Sequence, residues 1–218
     1  MNILIVDDHA LVRRGLKETL VEILGDKHPG MQMHEADRVQ EAIALVRTRP
    51  WDLMILDLSL PDGSGLEALQ TIKRQQPTLP ILVLSMHPED HFGVRALRIG
   101  ASGYLTKDKT PEELSLAVKK VLAGGTYLSP ELAEQLAMEV TQRRGVSGDA
   151  RITGYARLSD REVEILQWIA RGTRLTQIAA HLDLSVKTVS TYRARLLTKL
   201  GLRTTADLIR YAIDHRIT

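Results

Sequence analysis

The sequence predicts two domains of different class: a doubly wound α/β domain around a five-stranded parallel sheet, then a smaller all-α domain. Three observations carry this prediction. Short unbroken runs of apolar residues alternate with amphipathic stretches up to about residue 125. Beyond residue 157 the spacing of apolar residues is helical throughout, and capping residues mark the ends of the segments. Charge divides in the same way: residues 1–150 carry 17 Lys and Arg against 21 Asp and Glu, whereas residues 151–218 carry 12 against 6. The resulting net charges, −4 and +6, average to the +2 of the whole chain.

The elements follow in order. Residues 3–6, 53–56 and 81–84 are continuous apolar runs four residues long, the pattern of strands buried on both faces of a parallel sheet. Residues 31–36 and 103–105 supply two weaker strands in the right intervals. Helices are expected over 12–24, 39–47, 66–74, 91–99 and 112–122. The last of these is the best marked, with Thr110 as N-cap, Pro111 at the first helical position and Glu113 completing a capping box. Gly124 and Gly125 close this domain at residues 1–125, and residues 126–156 read as a linker with a helix near 130–140. The second domain spans 157–218. Ser159 caps its first helix, with Glu162 at the capping-box position, and Gly172 ends it. A second helix covers 176–182, Asp183 and Leu184 turn the chain, and Ser185 caps a third helix over 186–200 that Gly201 stops. A fourth runs from Thr204 to about residue 216.

Composition excludes several function classes. With no cysteine there is no disulfide scaffold, thiolate metal site or cysteine nucleophile. No apolar run approaches the roughly 20 residues of a membrane span. The first strand has no basic leader and meets Asp7 and Asp8 at once, so a soluble cytoplasmic protein without a membrane partner is expected. His87 and His91 have helical spacing, but Pro88 stands between them and no third soft ligand is evident, so they read as surface residues. Trp51 and Trp168 read as packing residues.

The chemistry gathers at the carboxyl ends of the strands, where parallel sheets bind their ligands. Asp7 and Asp8 follow the first strand, Asp57 ends the third, Ser85 the fourth, and Lys107 follows the fifth. Crowded carboxylates repel and need a cation to stay ionised. An oxygen-only set suits Mg²⁺, which keeps some of its waters and takes a phosphate oxygen. Lys107 then offers a point charge, and Ser85 a hydroxyl, to a phosphoryl group, while Asp57, the most central carboxylate, is the expected nucleophile.

Residues 1–125 resemble a two-component receiver domain, which has a flavodoxin-like fold. The matching pieces are Ile-Leu-Ile-Val-Asp-Asp-His at 3–9, Asp-Leu-Met-Ile-Leu-Asp-Leu-Ser-Leu-Pro-Asp-Gly-Ser-Gly-Leu at 52–66, Val-Leu-Ser at 83–85 and Gly-Ala-Ser-Gly-Tyr-Leu-Thr-Lys at 100–107. The resemblance implies that Asp57 accepts a phosphoryl group from a phosphohistidine of a sensor histidine kinase or phosphotransfer protein. It implies Mg²⁺ held by Asp8, Asp57 and the Ser59 backbone carbonyl, with Asp7 orienting or joining through water. Ser85 and Tyr104 occupy its switch positions, with Ser85 drawn to the phosphoryl group and Tyr104 entering the vacated space from outside. Such a domain modifies itself and is not an enzyme with a separate substrate.

The third helix of the basic domain holds four cations and no acid. Val189, Leu196 and Leu200 form its buried stripe, and Lys187, Thr191, Arg195 and Lys199 share an exposed flank. It follows a short helix and a tight turn as a recognition helix does. Residues 158–213 resemble the LuxR-type helix-turn-helix of the NarL/FixJ group, through Leu-Ser-Asp-Arg-Glu-Val-Glu-Ile-Leu at 158–166, Lys-Thr-Val-Ser at 187–190 and Lys-Leu-Gly at 199–201. Arg174, Leu175, Ser190 and Tyr192 depart from the common pattern of that group. The resemblance implies double-stranded DNA as partner, met by Lys187, Thr188, Ser190, Thr191, Tyr192, Arg193, Ala194, Arg195 and Lys199. The fourth helix is expected to cap the helical core and to pair with its copy in a homodimer.

Other classes fit less well. A haloacid-dehalogenase-like phosphatase or phosphotransferase would place a second Asp where Ser59 stands. A dinucleotide enzyme would need a Gly-x-Gly-x-x-Gly after the first strand. A DNA-binding dimer whose Asp57 is never phosphorylated is the remaining alternative.

Overall fold

The computed structural model describes residues 1–86, 89–143, 158–182, 184–214 and 217. Its contacts divide the chain into two units, Met1–Ser147 and Gly148–Thr218.

The first unit is built on a parallel sheet. Strands β1 (Asn2–Val6), β2 (Gln32–Ala36), β3 (Leu53–Leu56), β6 (Ile81–Ser85) and β7 (Gly103–Thr106) lie in the order β2-β1-β3-β6-β7. Between β3 and β6 the chain makes a small antiparallel hairpin from β4 (Ser59–Leu60) and β5 (Gly63–Ser64). The three central strands are the continuous apolar runs of the sequence. Ile3, Leu4, Val6, Leu53, Met54, Leu56, Ile81, Leu82 and Val83 are inaccessible to solvent, because helices cover both faces. β2 is an edge strand paired only with β1, so its Gln, His and Glu residues are tolerated and its apolar signal is weak.

The helices are α1 (Ala10–Leu24), α2 (Val39–Val46), α3 (Gly65–Gln75), α4 (Glu89–Ile99) and α5 (Pro111–Leu122). α5 begins with the expected capping box between Thr110 and Glu113. α4 begins two residues earlier than the periodicity suggested, at Glu89. His87 and the side chain of His91 lie outside the described residues. Trp51 packs as expected: it is buried, and its indole N–H donates to Leu45 O at 3.1 Å.

The polypeptide beyond α5 is stitched to this unit. Tyr127 is buried against the sheet, and its N–H donates to Ser102 O at 2.8 Å. Ser129 caps the next helix, α6 (Pro130–Arg143), by accepting the Leu132 N–H at 3.1 Å. Leu132 is wholly buried against α4, where a Cβ at Gly93 would stand 2.8 Å from its Cδ1. The glycine allows that close approach. The Gly124-Gly125 stop therefore marks the end of α5, and compact structure continues past it because Tyr127 and Leu132 have apolar seats on β7 and α4. Residues 144–157 of the expected linker lie outside the described residues.

The second unit contains α7 (Asp160–Ala170), α8 (Leu175–His181), α9 (Val186–Leu200) and α10 (Thr205–Asp214). Val163, Ile165, Leu166, Ile178, Val189, Leu196, Leu208 and Ala212 form its core. Ser159 and Glu162 make the expected capping box on α7. Ser185 accepts the Thr188 N–H, and Gly201 ends α9 with φ 67°, a backbone state that glycine reaches without steric cost. Thr204 and Asp207 cap α10 reciprocally, at 3.1 and 2.9 Å. Asp183 and residues 215–216, expected in the turn and the last helix, lie outside the described residues. Trp168 is half-buried, its ring centroid 4.8 Å from that of His181. Among the described residues no helix is long and apolar enough to cross a membrane.

Candidate functional site

The sheet's own hydrogen bonding carries the polar residues to its rim. The ladder runs on past the last residue of β1, β3 and β7: Asp7 N–H donates to Ala36 O at 3.1 Å, Asp57 N–H to Val6 O at 2.8 Å and Lys107 N–H to Ser85 O at 2.9 Å. Each backbone is fixed by its neighbour strand, and the three side chains converge.

Lys107 Nζ lies 2.7 Å from Asp57 Oδ2 and 2.7 Å from Asp7 Oδ2. Both carboxylates are almost wholly buried, at 1% and 2% exposure. Their second oxygens are held by the backbone: Asp57 Oδ1 accepts Ser59 N–H at 3.2 Å, and Asp7 Oδ1 accepts His9 N–H at 2.8 Å. Arg13 fixes the Asp7 backbone by donating to its carbonyl at 2.7 Å. Asp8 stands more exposed beside them, with His9 Nδ1 2.7 Å from its Oδ1. Asp7, Asp8, His9 and Asp57 bring ligand atoms to within 4.8 Å of one another, a set that can hold a metal ion.

The electrostatics match this crowding. Burial pushes the Asp57 carboxyl above the ordinary carboxylate range, Asp7 adds to the rise, and Lys107 opposes it. Burial alone would lower the Lys107 ammonium, but Asp57 and Asp7 outweigh it and the net shift is upward. Two buried carboxylates with Asp8 close by face one ammonium, so the site carries more negative charge than its own lysine neutralises.

Ser85 and Tyr104 lie on adjacent strands, with Ser85 opposite Thr106 and Tyr104 opposite Val83. Both are wholly buried. The resemblance implied a Tyr104 that enters from outside; in this structure its ring already occupies the interior, which is where a large aromatic side chain is most stable. Lys107 also lines a cleft of about 500 Å³ that reaches past Thr106 and Lys109 to Glu89, Glu131 and Gln135. His9 and Asp62 are the functional candidates that sequence reasoning passed over. His9 was available from its place directly after the acidic pair. Asp62 bonds to residues more than 20 positions away, and no local pattern announces that.

In the second unit, α9 shows Lys187, Thr191, Ala194 and Arg195 exposed, with Thr188, Ser190 and Tyr192 half-buried. Arg195 lies over the Tyr192 ring, 5.8 Å from its centroid. Two of the expected cations are committed elsewhere. Lys199 Nζ sits 2.7 Å from Oε2 of Glu162, a buried carboxylate that also closes the α7 capping box. Arg193 is half-buried and donates to Thr205 Oγ1 at 3.1 Å. Both tie α9 to its neighbours, because a buried carboxylate must find a cation and a half-buried guanidinium an acceptor.

Residues 3–119, which hold every member of the acidic site, match the family model of the response regulator receiver domain. The chain belongs to the response regulators. Residues 156–212 match the luxR family of bacterial regulatory proteins, so this response regulator joins a receiver to a LuxR-type DNA-binding domain. It is 34% identical over 215 residues to the response regulator UvrY of Escherichia coli strain K12, covering 99% of this chain and 94% of that one. It is 35% identical over 215 residues to the response regulator GacA of Pseudomonas aeruginosa, with 99% and 96% covered. Among solved structures it resembles RcsB of Salmonella enterica serovar Typhimurium bound to a promoter in the presence of the phosphomimetic BeF₃⁻. That match has a TM-score of 0.57 and 26% identity, and covers 97% of each chain. A further RcsB structure contains two dimers on two parallel DNAs. The chain is a two-component response regulator of the NarL/FixJ type.

Proposed function

We propose that Asp57 accepts a phosphoryl group from the phosphohistidine of a sensor kinase or phosphotransfer protein, and that this controls DNA binding through α9. The observation that carries the proposal is the Lys107 ammonium held 2.7 Å from both Asp57 and Asp7 at the ends of adjacent strands. An Asp57 carboxylate oxygen attacks phosphorus, the bond from phosphorus to the donor imidazole nitrogen breaks, and that nitrogen keeps the electron pair. Lys107 faces the charge gathering on the phosphoryl oxygens, and Ser85 offers its hydroxyl to one of them.

The acidic set fits a hard cation. Asp7, Asp8 and Asp57, with the Ser59 carbonyl, would hold Mg²⁺, which neutralises phosphoryl oxygens when bound. His9 is exposed and belongs to the rim of this set rather than to an oxygen-only shell. The chemistry is self-modification of the chain, and Ser59 supports this by leaving no second carboxylate two residues after Asp57.

Lys187 and Arg195, with Thr191 and Ala194 between them, form the surface offered to DNA, the cations to phosphates and the smaller side chains to base edges. The promoter-bound RcsB relative supports this assignment, and the RcsB dimers support a homodimer here. Ile213 on α10 is 59% exposed and offers apolar surface for such pairing. Work on DNA under a phosphohistidine donor supports a cytoplasmic location.

Incubation with Mg²⁺ and acetyl phosphate tests the first step. Wild-type protein gains acid-stable, base-labile phosphate and Asp57→Asn gains none. Equal labelling of the two proteins would remove Asp57 from the role.

A further inference from the structure

If Asp57 is the phosphoacceptor, the loop that follows it belongs to the chemistry, because Ser59 both bonds Asp57 and offers its carbonyl to the metal. That loop is folded tightly on itself. Ser59 pairs with Ser64 and Leu60 with Gly63. Gly65 N–H donates to Leu58 O at 3.1 Å, and a Cβ on Gly65 would stand 2.3 Å from Leu58 Cα, so only glycine closes the loop this way. A ladder two residues long on each side does not hold its own shape in water.

Its tip is held from outside. Asp62 turns away from its own hairpin and accepts Val39 N–H at 2.7 Å through Oδ1 and Gln40 N–H at 3.1 Å through Oδ2. These are the first two donors of α2, and the residue at the N-cap position, Arg38, makes no side-chain capping bond. The helix takes its cap from 23 residues downstream. A carboxylate spanning two N–H groups at the positive end of a helix makes charge-assisted bonds of fixed geometry. Gly63 rests against the same helix, where a Cβ would stand 3.4 Å from Val39 Cγ2. Fastening works in both directions: the loop caps the helix, and the helix pins the loop.

We propose that Asp62 is a positioning residue for phosphoryl transfer, fixing through α2 the hairpin whose Ser59 backbone serves Asp57 and the metal. The inference rests on the reading of Asp57 as phosphoacceptor. Asp62 is exposed and acts through the backbone alone.

Wild-type full-length protein is compared with Asp62→Ala, Asp62→Asn and Asp57→Asn. Mg²⁺ affinity is measured by calorimetry, phosphate uptake from acetyl phosphate at limiting and saturating Mg²⁺, and amide exchange without metal. Asp62→Ala weakens Mg²⁺ binding about five- to tenfold, on the scale of one lost helix cap. It slows uptake at limiting Mg²⁺ but not at saturation, and Asp62→Asn, which keeps one acceptor oxygen, recovers part of the affinity. Amide exchange in Asp62→Ala quickens at Ser59 as well as at Val39 and Gln40. Unchanged Mg²⁺ affinity, with faster exchange confined to Val39 and Gln40, would make Asp62 a helix cap alone and overturn the proposal. So would a loss of uptake that saturating Mg²⁺ does not restore. If Asp57→Asn takes up phosphate as wild type does, the phosphoacceptor reading itself fails, whatever Asp62 does.

Discussion

Asp57 is buried beside a second carboxylate, and its reactivity depends on how that charge is balanced. Burial raises its pKa above the ordinary value, so in metal-free protein the neutral form persists to higher pH than in an exposed aspartate. A raised folded-state pKa stabilises the fold below the unfolded value, and that contribution is lost as pH rises through the folded value. Ionised Asp57 therefore weighs against the fold at neutral pH until a cation joins Lys107. Carboxyl-carbon NMR of the metal-free protein should show Asp57 titrating above the ordinary value of about 3.9. Added Mg²⁺ should move the midpoint down. A midpoint at or below the ordinary value without metal would contradict the balance described here. These rim residues were legible in the sequence because each directly follows an apolar run, and a strand's end fixes where the next side chain goes. The ion pair of Lys199 was not legible: its partner Glu162 lies 37 residues earlier on another helix, and only tertiary packing joins them.

At the scale of elements, strands and helices with strong periodicity or caps were readable to within a few residues. The β4–β5 hairpin was not, because two-residue strands have no period. The docking of α6 on α4 also escaped, since a glycine inside a helix pattern does not show that it makes room for Leu132. On α9, helical spacing placed Lys187 and Lys199 on one exposed flank and could not show that Lys199 is also paired to a buried carboxylate of another helix. Substitution at each position separates the two roles. Lys187→Ala and Arg195→Ala should each weaken DNA binding and reduce the salt slope by about one unit, leaving the thermal midpoint in place. Lys199→Ala should instead destabilise the second unit by about 1–3 kcal/mol, because Glu162 stays buried without its cation. Equal effects of Lys187→Ala and Lys199→Ala on the salt slope at unchanged stability would return Lys199 to the contact surface.

For the whole molecule, the division of charge in the sequence follows the division of labour between the units. The acidic unit concentrates carboxylates at one rim of its sheet, and the basic unit presents cations on one helix. The net +2 describes neither. What the sequence could not supply is how far the first unit extends: α6 adds its apolar face to α4, so the sheet domain reaches beyond the two glycines that end α5. On the proposed function, phosphorylation at Asp57 controls what α9 does. The most direct test is the affinity of the full chain for genomic DNA fragments, measured with and without acetyl phosphate and Mg²⁺, for wild type and Asp57→Asn. Phosphorylation should change the wild-type affinity for selected fragments by about tenfold or more, equivalent to about 1.4 kcal/mol, and leave Asp57→Asn unchanged. Wild-type binding that is the same in both conditions, on protein shown to carry the phosphate, would disconnect Asp57 from DNA binding.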